Sequence, residues 1–219
     1  MSRKRLSAAD RRATILAGAR RAFALHGLKA SSLQIAAEAQ ISDALIFRHF
    51  PNKDALHRAV LRNLIEEQDQ IYAQVGLTLA GAEGLMVMLE AYFRACLEPE
   101  PDHVERVRIL AANLASEGDY AKLAYRRAVR VSRPALAQAI AEARAAGHLT
   151  GAEVAVENIV MFLEHLGSTV TLATAGKGGD VGAYAGGTDK RLADLVRFAG
   201  RGLGLKDEVL NEYLESHAL

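Results

Sequence analysis

SSLQIAAEAQISDALIFRHFPNK, residues 31 to 53, is the stretch that decides the architecture. Ser31 and Gln34 have the Ser-x-x-Gln spacing of a capping box, in which each side chain satisfies an otherwise orphaned backbone N–H of the first turn. A helix is therefore expected to start here. Leu33, Ile35, Ala36 and Ala37 give it an apolar side, and the run stops at Gln40-Ile41, just before a second N-cap residue, Ser42. This places a turn at residues 39 to 42. After Ser42, Ile46 and Phe50 form one i, i+4 stripe. Ala44, Leu45, Arg48 and His49 are left on the other sides, a surface that is small, mixed and partly basic. Two short helices around such a turn have the dimensions of a helix-turn-helix, whose second helix can enter the major groove of DNA.

The charge distribution agrees. Residues 1 to 62 hold 12 Lys/Arg and 4 Asp/Glu, a balance of +8, whereas residues 63 to 219 hold 15 and 22, a balance of −7, which together give the net +1. A basic end on an acidic remainder is the asymmetry expected of a nucleic-acid-binding head on a body with another task. The single Cys excludes an internal disulfide. No apolar run approaches the ~18 residues of a membrane span, and the basic start SRKR lacks the hydrophobic region of a signal peptide. A cytoplasmic protein without a membrane partner is expected. With four Pro, no Trp and almost no alternating strand pattern, the fold class reads as all-α. Only the β-branched run Ser168 to Thr174 suggests a strand.

Taken in order, Arg3, Lys4 and Arg5 precede a cap at Ser7 and are either a solvated tail or an arm on phosphates or in the minor groove. A first helix, Ala8 to His26, buries Ile15, Ala19 and Phe23, presents Arg11 and Arg12, and ends at Gly27. Pro51-Asn52 breaks the chain ahead of a long helix from Lys53 to Val75. Gly76 to Gly84 reads as a loose connection, followed by helices over Leu85 to Leu97, Asp102 to Ser116 and Tyr120 to Ala146, the last kinked or divided by Pro134. Val154 to Ala173 is apolar over most of its circumference, as a helix in a subunit interface would be. The six glycines between Gly176 and Gly187 lack the spacing of a P-loop or dinucleotide fingerprint and read as a flexible crossover. Helices over Asp189 to Leu203 and Val209 to Leu214 complete the chain.

The pattern Ile35-Ala36, Ile41-Ser42, Ile46-Phe47-Arg48-His49-Phe50 and Lys53-Asp54-x-Leu56 resembles the DNA-binding domain of the tetracycline-repressor (TetR) family. Ile15-Leu16, Ala19, Phe23 and Gly27 fit that family's first helix, so the resemblance covers roughly residues 10 to 60. It implies a helix-turn-helix domain over residues 1 to 52 and a helical effector-binding and dimerisation domain over 53 to 219, bridged by the fourth helix. It also implies a homodimer on a double-stranded DNA operator, released by a small-molecule effector, with residues 153 to 173 and 188 to 203 pairing with their copies as a four-helix bundle. The DNA-facing candidates are Arg3, Lys4, Arg5, Ser31, Ser32, Ser42, Asp43, Ala44, Leu45, Phe47, Arg48, His49 and Lys53. Three positions depart from the family pattern. Gln40 stands where Gly usually supplies a left-handed turn, Phe47 lacks the hydroxyl of the usual Tyr, and Asp43 replaces a basic or small polar residue. A carboxylate there suits the helix dipole and could accept from a cytosine amino group, but repels phosphate.

No His lies in a metal-protease motif or pairs with Cys, so neither an enzyme nor a metal or cofactor site is expected. Cys96, in an apolar helix, reads as a small buried residue rather than a redox sensor. Asn158, Phe162, His165 and Thr169 share one stripe, and Asn113 and Glu117 are an i, i+4 pair. Two readings are open: satisfied polar groups at an interface or solvent edge, or polar groups in a mostly apolar effector cavity walled by Met88, Tyr92, Phe93 and Tyr120. Two rival functions remain, an architectural DNA binder without a ligand and an enzyme with a fused DNA-binding head.

Overall fold

The computed structural model describes residues 7–76, 79–116, 118–176, 181–182 and 184–219. These form the helices α1 (Ala8–His26), α2 (Ser32–Ala39), α3 (Asp43–His49), α4 (Lys53–Gly76), α5 (Gly81–Leu97), α6 (Pro101–Leu114), α7 (Asp119–Ala145), α8 (Val156–Thr174), α9 (Thr188–Gly202) and α10 (Asp207–Ser216). No strand occurs among the described residues, only an isolated bridge between Leu149 and Leu205. None of these helices is long and apolar enough to cross a membrane. The chain divides into two compact units, Met1–Glu67 with Glu105–Leu123, and Gln68–Val104 with Ala124–Leu219.

In the first unit, α1 begins at Ser7, whose Oγ accepts from the Asp10 N–H while the Asp10 carboxylate accepts from the Ser7 N–H, a complete capping box. Ile15, Ala19, Ala22 and Phe23 of α1 are buried, as are Ile35, Ile46, Phe50, Leu56 and Leu64. In the second unit, α5 packs against α8, α9 and α10. Its fully buried Leu85, Met86, Leu89 and Phe93 share one core with Leu192, Val196 and Leu210.

Several local expectations change. The segment before Leu85 is helical from Gly81, one turn earlier than its glycines suggested, because α7 supplies the missing cap: the Gly81 N–H donates to the Glu142 carboxylate at 3.0 Å. Pro134 sits inside a continuous α7 and does not divide it. Ser168 to Thr174 is helix, with the Thr169 and Thr174 hydroxyls donating to the carbonyls of His165 and Val170 four residues back. The glycine-rich crossover lies partly outside the described residues, as do Arg3, Lys4, Arg5 and Glu117.

Candidate nucleic-acid interface

The Ser31 capping box forms as its spacing demands: Ser31 Oγ accepts from the Gln34 N–H at 3.2 Å, and Gln34 Oε1 accepts from the Ser31 N–H at 2.7 Å. The other end of α2 closes in a Schellman motif, with Gln40 N–H donating to Ala37 O and Ile41 N–H to Ala36 O. That motif requires a left-handed residue, and Gln40 takes φ 54°, ψ 45°. The departure from Gly therefore leaves the turn geometry in place at the expense of backbone strain. Gln40→Gly is expected to raise stability by about 1 kcal/mol, since left-handed backbone costs a side-chain-bearing residue about that much. Urea unfolding would read it as a higher midpoint at unchanged slope.

Ser42 occupies the N-cap position of α3, but its hydroxyl makes no capping hydrogen bond, contrary to its expected role. Its carbonyl accepts from the Leu45 N–H at 3.0 Å. Ile46 and Phe50 face inward, 1% exposed each, and this turns Ala44, Phe47 and Arg48 to the surface with Leu45 and His49 half-buried beside them. Asp43 is only half-exposed, and its Oδ1 is enclosed without a hydrogen-bond partner, so one of its oxygens does not face outward. Leu33 and Ala37, read from the sequence as part of the apolar side of α2, are exposed instead, Leu33 by 71%, and Ile35, Ala36 and Ala39 are the buried residues of that helix. Ser31 is exposed and Ser32 half-buried at the start of the same helix.

Arg12 secures the end of α3. Its Nη1 donates to the His49 carbonyl at 3.0 Å, and its guanidinium lies 4.0 Å above the Phe50 ring. A cation at a helix C-terminus is electrostatically favourable and satisfies one of the last carbonyls. At the start of α4, Asn52 Oδ1 accepts from the Ala55 N–H at 2.8 Å. Lys53 Nζ donates to the Lys29 carbonyl at 3.2 Å, which leaves two of its three ammonium donors for a phosphate.

The residues proposed for an effector are distributed. Asn113 and Tyr120 are buried in the first unit, where Asn113 Oδ1 accepts from the Ala121 N–H at 2.8 Å and so holds the α6–α7 connection. Phe162, His165 and Thr169 lie on an exposed face of α8, whereas Phe93 is fully buried core and Met88 packs against that core. Cys96 is buried. Tyr92 meets polar groups of α8 and lies near Glu164. Its hydroxyl donates to the Leu163 carbonyl at 2.9 Å, and burial, then the Glu164 carboxylate, push it above the ordinary phenol range. Tyr72 donates to Glu164 Oε1 at 2.5 Å, Gln68 Nε2 donates to the Tyr72 hydroxyl, and the Tyr125 ring stands edge-on to His165 at 5.3 Å. Burial followed by Glu164 also raises Tyr125. Gln68, Tyr72, Tyr125 and Glu164 were not singled out from the sequence. Gln68 and Tyr72 stand i, i+4 on α4, which was a usable signal, but Tyr72 and Glu164 are 92 residues apart.

A second feature of α8 and α9 is a groove of about 840 Å³ lined by Ile159, Leu163, Leu166, Phe198 and Leu203. Phe162 also lines this groove, and Phe162 and Phe198 are 63% and 69% exposed. Among the described residues, no group of three or more His, Cys, Asp or Glu could hold a metal ion.

A helix-turn-helix DNA-binding protein is the class these features define. Residues 15–60 match the family model of the bacterial regulatory proteins, tetR family. Over that stretch the chain carries the helix-turn-helix domain of this family. Its fold is shared by a tetR-family regulatory protein from Rhodococcus RHA1, 19% identical over 90% of this chain and 98% of that one, with a TM-score of 0.64. A TetR family regulator from Marinobacter aquaeolei VT8 is 18% identical over 90% of this chain and 97% of its own, with a TM-score of 0.65. A gamma-butyrolactone receptor described as ArpA-like is 17% identical over 95% of each chain, with a TM-score of 0.59. Among curated proteins, none matches this sequence.

Proposed function

We propose that the protein is a repressor that binds a palindromic operator as a homodimer and is released when its body, residues 53 to 219, takes up a small molecule. The observation that carries this reading is the α2–Gln40–α3 arrangement, with Ala44, Phe47 and Arg48 turned outward from a core closed by Ile46 and Phe50. Two such heads in a two-fold dimer read half-sites roughly 34 to 36 Å apart. Arg48 can address a guanine, and Ala44 and Phe47 suit thymine methyl groups. The exposed aromatic face of α8 and α9 supports pairing with a second copy, and residues 1 to 52 form the reading head. For the effector, Tyr72, Tyr92, Tyr125 and Glu164 are the polar groups best suited to orient a ligand, beside apolar walls. The structural relative named as a gamma-butyrolactone receptor is in keeping with a small-molecule trigger. Release requires the effector to bind the DNA-incompetent arrangement more tightly than the competent one.

Selection of DNA sites from a random pool with the purified protein tests the reading, and a palindromic consensus is expected. A lack of consensus with steep salt dependence would instead identify the architectural binder. On the selected site, Lys53→Ala should weaken specific and scrambled DNA about equally and lower the slope of log affinity against log salt by roughly one per contact. Substitutions at Ala44 should change base preference and leave that slope alone. A changed base preference in Lys53→Ala at constant slope would contradict this placement of the head.

A further inference from the structure

The first unit contains one buried charge that the DNA-reading surface does not use. Arg20 of α1 is 6% exposed. Its Nη1 lies 2.8 Å from both carboxylate oxygens of Glu67 on α4, and its Nε lies 3.2 Å from Glu105 Oε2 on α6. The position of these two acids in the chain is what gives the contact meaning. Glu67 is the last residue of the first unit on α4, and Glu105 is the first residue of that unit on α6. The guanidinium of the head's first helix thus holds two of the points at which the chain passes between its two units.

Arg20 is the buried member of this cluster, and an ion pair of this kind adds little net stability compared with apolar groups of the same volume, yet removing the acids that face it is unfavourable because it strands the guanidinium away from water. The planar guanidinium hydrogen-bonds Glu67 through Nη1 and presents Nε to Glu105 as an ion pair, two contacts in a fixed relation that a lysine ammonium does not reproduce. The three groups therefore move together. A displacement of α4 or α6 drags α1 with it, and α1 packs on α2 and carries the Arg12 tie to the end of α3.

We propose that Arg20 is a positioning residue for DNA binding, one that couples α4 and α6 separately, through Glu67 and Glu105, to the helix that supports the reading head. This rests on the regulator reading above. Coupling between sites is reciprocal, so it is measurable from the DNA side without knowledge of the effector.

The experiment is amide hydrogen exchange on the full chain, with and without the selected operator duplex, followed over residues 68–74 of α4 and over His103 and Val104 of α6, whose amides donate to the Glu100 carbonyl. In the native protein, operator binding should slow exchange in both segments by at least about fivefold. Glu105→Gln should abolish the effect in α6 and keep it in α4, and Glu67→Gln should do the reverse. Arg20→Lys, which keeps the charge and loses the fork, should abolish both. Operator affinity measured in parallel by anisotropy distinguishes the two levels of failure. A protein that binds no selected DNA overturns the regulator reading and this inference with it. A protein that binds DNA but shows no slowing in either segment, or whose Glu67 and Glu105 variants lose both effects equally, overturns the coupling alone.

Discussion

Phe162→Asp is expected to convert the protein into a monomer that remains folded. Phe162 projects from α8 with 63% of its surface exposed and lines the groove together with Leu163, Leu166 and Phe198. A side chain so exposed contributes little to the fold of one chain, so thermal stability at low protein concentration should hold. In the proposed two-fold dimer the same position would be buried against the second copy. There the change removes about 2 kcal/mol of apolar burial and adds the desolvation of a carboxylate, together at least about 3 kcal/mol per copy. Because an isologous interface contains the residue twice, the dimer weakens by about 6 kcal/mol, or about 10⁴-fold in its dissociation constant. Phe198→Asp on α9 should act alike, and both should lose operator binding, since one head holds only a half-site. Sedimentation across a range of concentrations measures this. A native protein monomeric at micromolar concentration would contradict the paired α8 and α9 faces.

How much of this was legible in the sequence depends on the distance over which each feature is encoded. The ends of α1 and α2 coincide with their expected places because their signals are local: Ser7 and Ser31 each cap within three residues, and Gly27 ends α1 at φ 76°. The stripe Ile46 and Phe50 is buried as its period demanded, and this orients the reading surface. Features that depend on distant partners were not readable. The start of α5 at Gly81 needs Glu142, 61 residues away, as its cap. Arg20 looks in sequence like any basic residue of a head rich in them, and only the meeting of α1, α4 and α6 makes it a buried ion. The polar candidates for an effector site suffered likewise. Asn113 is polar on an apolar helix because it holds a turn, whereas Tyr72 and Glu164, which do meet, share no local pattern. Ser42 shows that even a local signal can be preempted: it stands at the cap position, and its hydroxyl does not cap.

Gly18 is the position where the ordinary rule for helices should fail. It lies in the interior of α1, where replacing Gly by Ala normally stabilises by about 1 kcal/mol. Here a methyl group at Gly18 would meet the Cβ, Cα and N atoms of Ala39 at 2.4, 2.5 and 2.6 Å. Two of these are backbone atoms at the end of α2, held in place by the Schellman closure at Gln40, so no side-chain rotation relieves the contact. The helices α1 and α2 must separate, and they carry Ile15, Ala19, Ala22, Ile35 and Ala36 of the head's buried core. Overpacking of this kind costs about 1 to 3 kcal/mol when side chains can adjust, and more when backbone is the obstacle. Set against the helical gain, Gly18→Ala is expected to lose about 2 kcal/mol, and Gly18→Val more, because the branched chain also has lower helix propensity. Operator affinity should fall with it, since the orientation of α3 depends on α2. A double substitution sharpens the test. Ala39→Gly removes the nearest of the three atoms but neither backbone contact, so Gly18→Ala with Ala39→Gly should recover part of the loss and not all of it, a coupling that denaturant unfolding of the four proteins measures. A Gly18→Ala protein more stable than the native one would show that α1 and α2 are not in this close contact.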